Sequence, residues 1–266
     1  MFADAYDLVK DFTRPVVIST RTGDGTVKSG MAAFVVLNED GWFATAAHVL
    51  SSFFAWRQHQ EEIARHQEQG DTPNPDWITN QSFWWGWDGI GMAEVHVRNE
   101  SDLAVGRLEP FEPGVVKRFP VLKDPDELRP GTSLCRLGYP FHELRARWDA
   151  EAGQFQLPEG AVPAPLFPIE GIFTRQVRVE SSLLPKFIET SSPGLLGQSG
   201  GPVFDTEGRV WGIQSRTHHL NLGFSPQIEV EGEKVAEHQF LNVGLAVHPA
   251  ELIDLLDEKG IAFTLG

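Results

Sequence analysis

Apolar runs in this chain are short, and nearly every one is closed by a turn. Pro15–Thr20 (PVVIST) ends at Arg21-Thr-Gly-Asp-Gly25, and Met31–Leu37 leads through Asn38-Glu-Asp-Gly41 into Trp42–Thr45. Gly, Asn and Asp tolerate the backbone angles of tight turns, so two apolar runs flanking such a cluster predict a β-hairpin. Further candidate strands are Met92–Val97, Leu103–Leu108, Ser133–Leu137, Arg175–Val179, Phe187–Thr190, Pro202–Phe204, Val210–Gln214 and Leu241–Ala246. Many short strands with regular punctuation exclude a helical bundle and predict an all-β barrel or sandwich.

Two segments have helical spacing. Ser51–Gln69 carries Phe53, Phe54, Trp56 and Ile63 among charged and amide side chains. His59, Glu62 and His66 share one of its faces, but without a third strong ligand the reading is a solvated face, and no metal is expected. Pro249–Gly260 places 252, 253, 255 and 256 on one face and ends on a glycine suited to a C-cap. The Pro- and charge-rich stretch Glu109–Gly131 separates two sets of strands. The expected units are therefore 1–115, with an insertion over about 51–91, and 116–266. Residues 69–91 read as irregular and aromatic, packing against the body.

Twenty-two Lys and Arg stand against 37 Asp and Glu, a net charge of −15. That balance argues against phosphate-backbone binding and against an anionic membrane surface. The one cysteine, Cys135, lies in an apolar run and forms no internal disulfide; it reads as a buried small hydrophobe. The first residues lack the basic start and apolar core of a signal peptide, and no run approaches the ~20 apolar residues of a membrane span. A cytoplasmic protein is expected.

Chemistry concentrates in Gly197-Gln-Ser199-Gly-Gly-Pro202. Acyl transfer needs a hydroxyl on a tight bend where backbone N–H groups converge on developing negative charge. Small neighbours allow that bend, and the N–H groups of Gly197 and Ser199 are the candidate donors. A serine hydroxyl needs an adjacent base. Among nine histidines, His48 alone ends a hairpin strand amid small residues (Thr45-Ala-Ala-His48). The base in turn needs an acceptor for its second ring nitrogen. Asp102 heads the apolar strand Asp102-Leu-Ala-Val105; Asp88, in Trp87-Asp-Gly89, is a rival acid in a turn-like context.

Taken in order, Thr45-Ala-Ala-His48, Asp102-Leu-Ala-Val105 and Gly197-Gln-Ser199-Gly-Gly-Pro202 resemble the three signatures of trypsin-like, chymotrypsin-fold serine peptidases. The tail Asn242-Val-Gly-Leu-Ala-Val-His-Pro249 is similar to the HtrA-like bacterial branch, here without a PDZ domain. The resemblance implies two six-stranded antiparallel β-barrels with the site in the cleft between them, plus an inserted helix and a C-terminal helix. It implies His48 as general base then acid, Asp102 as its orienter, Ser199 as nucleophile, and an acyl-enzyme intermediate without any cofactor.

Departures from the vertebrate pattern bear on activation and specificity. Gln198 stands where digestive members carry an aspartate that pairs with a newly cut N-terminus, so activity without zymogen cleavage is expected. By motif position the substrate pocket should involve Pro193, Leu195, Leu196, Ser215, Arg216 and Thr217. With Pro193 in place of an acid, cleavage after Lys or Arg is not expected. A small or medium apolar residue before the cut is the main expectation, and an acidic one received by His218 or His219 the alternative. Partners are then a protein or peptide substrate and an activating protein. A catalytically idle peptide-binding module on the same fold is the competing function. An α/β-hydrolase esterase fails on chain order, because there the nucleophile comes first.

Overall fold

Continuous runs of buried side chains, more than alternation, mark most of the core strands. The structure, a computed structural model, describes residues 2–180, 182–230, 233–236 and 239–266, and of 228–230 and 233–236 the backbone only. After a short helix α1 (Ala3–Val9), strands β1 (Thr13–Thr22), β2 (Val27–Val36) and β3 (Trp42–Ala46) follow as consecutive hairpins. Helix α2 (Ser51–Gln69) precedes β4 (Ile78–Trp84), β5 (Gly91–Arg98) and β6 (Leu103–Glu109). These six strands form one antiparallel sheet in the order β4-β1-β2-β3-β6-β5. Both ends of that order are free, so the first unit is a half-barrel. Trp85, buried at the bend after β4, packs on Phe34, Phe43 and Phe83 at ring separations of 5.3, 4.7 and 5.5 Å and fills its interior.

The second unit contains β7 (Val121–Leu122), β8 (Ser133–Gly138), a small hairpin of β9 (Arg147–Asp149) and β10 (Gln154–Gln156), β11 (Phe167–Arg178), β12 (Pro185–Thr190), β13 (Pro202–Phe204) and β14 (Val210–Asn221). It continues with the hairpin β15 (Gln227–Val230) and β16 (Glu233–Ala236), then β17 (Phe240–Val247), helix α3 (Pro249–Lys259) and β18 (Thr264–Leu265). The order β13-β8-β11-β12-β17-β14 returns to β13, which closes a six-stranded barrel. The all-β architecture with an inserted and a C-terminal helix is thus the one expected.

Strands β7, β9, β10, β15, β16 and β18 lie outside the expected set, β11 starts at Phe167 rather than Arg175, and one further segment differs from its reading. Residues 78–84, read as part of an irregular insertion, form β4, an edge strand paired with β1 from Val17↔Trp84 to Thr22↔Ile78. All seven of its side chains are only half-buried, and Asn80 and Gln81 are poor strand formers, so neither alternation nor propensity announces it. Helix α2 lies over this edge. Gln60 donates to the Ile78 and Thr79 carbonyls, and His59 and His66 both set their rings against Trp77 while Glu62 pairs with Arg65. The three candidate ligands on this helix are therefore engaged separately.

Chain ends cross between units. Phe2 packs on Phe204 of the second barrel, and Leu252, Leu255 and Leu256 of α3 join a buried cluster to which both units contribute. Arg98 on β5 ties α3 down through Glu258 at 2.8 Å. His248 caps this helix: its Nδ1 accepts the Ala250 N–H at 3.2 Å, and its Nε2 is buried without a partner. Burial lowers its pKa to about 4, against a weaker opposing pull from Glu251. The unfolded imidazole takes up a proton that the folded one refuses, so stability falls as pH drops from 6.5 toward 4. The loss should be on the order of 3 kcal/mol. His248→Asn keeps a capping oxygen, and urea midpoints measured across that range should lose this part of their slope.

Candidate active site

The candidate residues lie where two sheets meet. Strand β3 runs out at Ala46, and the chain tightens into the single turn Ala47–Leu50 because Ala46 and Ala47 offer no bulk to resist it. This turn carries His48 out to the cleft with its side chain about half exposed. Asp102 precedes β6 with φ of +53°, a left-handed conformation that Asp accepts more readily than most residues. Strand pairing of β3 with β6, Ala46↔Leu103, puts the two residues side by side despite a separation of 54 positions.

Asp102 is an acceptor for three donors. Its Oδ1 takes the His48 backbone N–H at 2.9 Å; its Oδ2 lies 2.8 Å from His48 Nδ1 and receives the Ser215 hydroxyl at 2.5 Å. Burial raises the carboxyl pKa, but the bonds from His48 and Ser215 outweigh it, so the group lies below its ordinary value and is ionised at neutral pH. The imidazole is thereby held with Nδ1–H toward the carboxylate and Nε2 free to act as a base. Asp88, the rival acid, instead accepts from Trp84 Nε1 at 2.8 Å.

Ser199 stands on the opposite bank, between Gly197 and β13. Gly197 has φ of +95°, and a Cβ there would run into the Tyr139 carbonyl. A Cβ on Gly200 would strike the Ala33 carbonyl and the Thr45 hydroxyl, so the loop presses directly on the first sheet. The Ser199 carbonyl accepts the Ala33 N–H at 2.8 Å, which fastens the two units at this point. Ser199 Oγ donates to the Ser215 carbonyl at 3.4 Å, and among the described residues no hydrogen bond joins it to His48. Both side chains line one cavity of about 460 Å³. Among the described residues the N–H groups of Gly197 and Ser199 meet no acceptor, which leaves two donors for an oxyanion.

That cavity is lined also by Leu195, Leu196, Ser215, Arg216 and Thr217, five of the six residues expected from motif position. Pro193 is not among them; it lies behind the wall with its carbonyl on Arg136. Gly194, inside the expected wall Pro193–Leu196, lines the cavity too, whereas Asn99 and Gln214 line it and were not anticipated. Gln214 had a legible signal, an amide ending the otherwise apolar strand Val210-Trp-Gly-Ile213. His218 and His219 do not line it. Beyond Leu196 and Gly197 a second hollow of about 960 Å³ continues the cleft past Met31, Phe141 and Leu144. The arrangement offers a base with an oriented carboxylate, a hydroxyl and two oxyanion donors along a groove, the parts required for acyl transfer.

Comparison with known proteins bears on the family and the fold. The trypsin-like peptidase domain family matches residues 31–213. No curated protein matches the chain. Among solved structures it is similar to the Rv3671c protease from M. tuberculosis in its active form, with 13% identity, a TM-score of 0.54, and coverage of 98% of this chain and 86% of that one. It is also similar to a variant of the HtrA-type protease AlgW solved with a tripeptide, at 15% identity and a TM-score of 0.52, covering 98% of this chain and 64% of that one. The same protease with a decapeptide gives 15% identity, a TM-score of 0.53, and 98% and 68% coverage. This chain thus spans about two-thirds of the length of that relative. Identities this low speak to the shared fold. The family match encloses the turn at His48, the start of β6 and the loop at Ser199, and the chain belongs to the trypsin-like peptidase family.

Proposed function

We propose that this protein is a serine endopeptidase that cleaves protein substrates through His48, Asp102 and Ser199. The observation that carries the reading is the hydrogen-bonded set Ser215–Asp102–His48 facing Ser199 across one cavity, with two unengaged N–H groups beside the hydroxyl. Ser199 Oγ turns from the Ser215 carbonyl to His48 Nε2, gives up its proton and attacks the scissile carbonyl. The oxyanion is received by the Gly197 and Ser199 N–H groups. His48 then protonates the leaving amine, the acyl-enzyme forms, and a water activated by the same imidazole releases the acid.

Gln198 supports activity without N-terminal cutting. Fully buried, it accepts the Leu195 N–H at 3.0 Å and donates to the Phe167 carbonyl at 3.2 Å. A neutral amide thus braces the loop from within, where an ion pair to a new N-terminus would otherwise be needed.

The test is fluorophosphonate labelling of the uncut chain. Labelling that disappears in Ser199→Ala supports the proposal; absence of labelling leaves only a peptide-holding module. Gly197→Ala adds a second check. Its Cβ has no room and its φ is unsuited to alanine, so the loop must shift and misdirect an oxyanion donor. A loss of about 10²–10³ in kcat, with KM changed less, is expected from steady-state kinetics.

A further inference from the structure

The wall of the cavity beside Ser199 is backed by an unpaired positive charge. Arg136, on β8, is only 2% exposed. Its Nη1 donates to the Ser192 carbonyl at 2.5 Å, the Ser192 hydroxyl at 3.0 Å and the Pro193 carbonyl at 2.6 Å. Among the described residues its buried Nε has no acceptor. Among the described residues no carboxylate pairs with it. Room for the guanidinium is made by Gly244 on β17, where a Cβ would stand 2.5 Å from Nη2.

Gln214 meets the same segment from the other side. Its amide packs against Gly194, its Nε2 reaches the Arg216 carbonyl at 3.3 Å, and its buried Oε1 has no donor among the described residues. Ser192–Gly194 is therefore touched by a guanidinium and by an amide. It continues directly into Leu195 and Leu196, which with Gly194 form one wall of the cavity. Ser215, Arg216 and Thr217 form the facing wall, joined to the first by Thr217 Oγ1 donating to the Gly194 carbonyl at 2.6 Å.

Buried charge without a counter-ion is costly, and carbonyl dipoles offset only part of that cost. Burial draws the guanidinium pKa down to about 10, which still leaves it charged at neutral pH. A substrate lysine or arginine entering here meets a like charge. An apolar side chain leaves Arg136 Nε and Gln214 Oε1 as they are, without partners. A carboxylate in the cavity is attracted by the guanidinium behind the Ser192–Gly194 wall, and Gln214, which lines the cavity, can turn its NH2 to it by giving up the bond to the Arg216 carbonyl.

We propose that Arg136, acting from behind the wall, is a specificity-determining residue, with Gln214 as the donor that lines the cavity, and that the residue on the acyl side of the cut is Asp or Glu. The acidic residue is that of the alternative reading from the sequence, but its recognition is assigned to Arg136 and Gln214 in place of His218 and His219, which do not line the cavity.

The inference rests on the peptidase reading, and one substrate set separates the two. Fluorogenic peptides identical except at that residue would carry Asp, Glu, Asn, Gln, Val, Leu or Lys. Each acid, or the better of the two, should exceed its own amide isostere by tenfold or more in kcat/KM. Arg136→Gln should bring that ratio to about one, and Arg136→Lys should retain part of it. The wild-type ratio decides the matter even if the Arg136→Gln chain fails to fold. A wild-type ratio of one or less, or a preference for Val or Leu over both acids, overturns the proposal. If fluorophosphonate labels Ser199 while no acid preference is seen, the specificity is refuted and the peptidase stands. If neither labelling nor cleavage occurs, both fall.

Discussion

Ser199→Ala and His48→Ala are each expected to lower kcat by a factor on the order of 10⁶, and the double variant no further. The reason is that a hydroxyl without its base and a base without its hydroxyl are equally unable to form the acyl-enzyme. KM should change little, because the Ser199 hydroxyl makes a single long hydrogen bond, 3.4 Å to the Ser215 carbonyl, and contributes little to the shape of the cleft. For the same reason Ser199→Ala should fold as stably as the parent. Single-turnover and steady-state assays on one peptide substrate check this. A Ser199→Ala chain that kept more than one hundredth of the parent rate would point to another nucleophile.

Asp102→Asn should reduce kcat by about 10⁴ with little change in KM. The aspartate accepts from three donors: the His48 N–H, His48 Nδ1 and the Ser215 hydroxyl. An asparagine has one oxygen and one NH2. If the oxygen keeps the His48 backbone N–H, the NH2 faces Nδ1 and forces it to accept. The imidazole then carries its proton on Nε2, pointing at Ser199, and no base remains. NMR of the His48 ring protons should report this tautomer exchange directly. Stability provides an independent readout with a defined sign. Because the folded carboxyl lies below its ordinary 3.8, ionised Asp102 stabilises the fold above that pH and ceases to do so as the pH falls through its folded value. The stability gap between parent and Asp102→Asn should therefore narrow on acidification. A gap that widened in acid would mean the carboxylate is not held as described.

Much of this protein was legible because the relevant signals are local. The turn Asn38–Gly41 announces its hairpin, Gly260 ends α3 in a left-handed conformation, and the helical spacing of Ser51–Gln69 appears as α2 with the same bounds. The three signature motifs were readable for a similar reason: each is a short run whose small residues are demanded by close backbone approach, as Gly197 and Gly200 show. Strand β4 escaped notice because an edge strand half-buried at every position has no period of two to detect.

Residue chemistry and turn geometry, which act over a few positions, determined from the sequence that this chain makes short antiparallel strands and carries a histidine, an aspartate and a serine in three short motifs that resemble those of one family. Tertiary structure decided which groups share a site. Ser215 reaches Asp102 across 113 positions, and the nucleophile loop hangs from Ala33 of the other sheet. Arg136 gives the clearest case. In Leu134-Cys-Arg-Leu137 it is one polar letter in an apolar strand, indistinguishable from a residue that points to solvent. Closure of the barrel brings Ser192, Gln214 and Gly244 around it, and strand closure is a long-range event that no local pattern encodes.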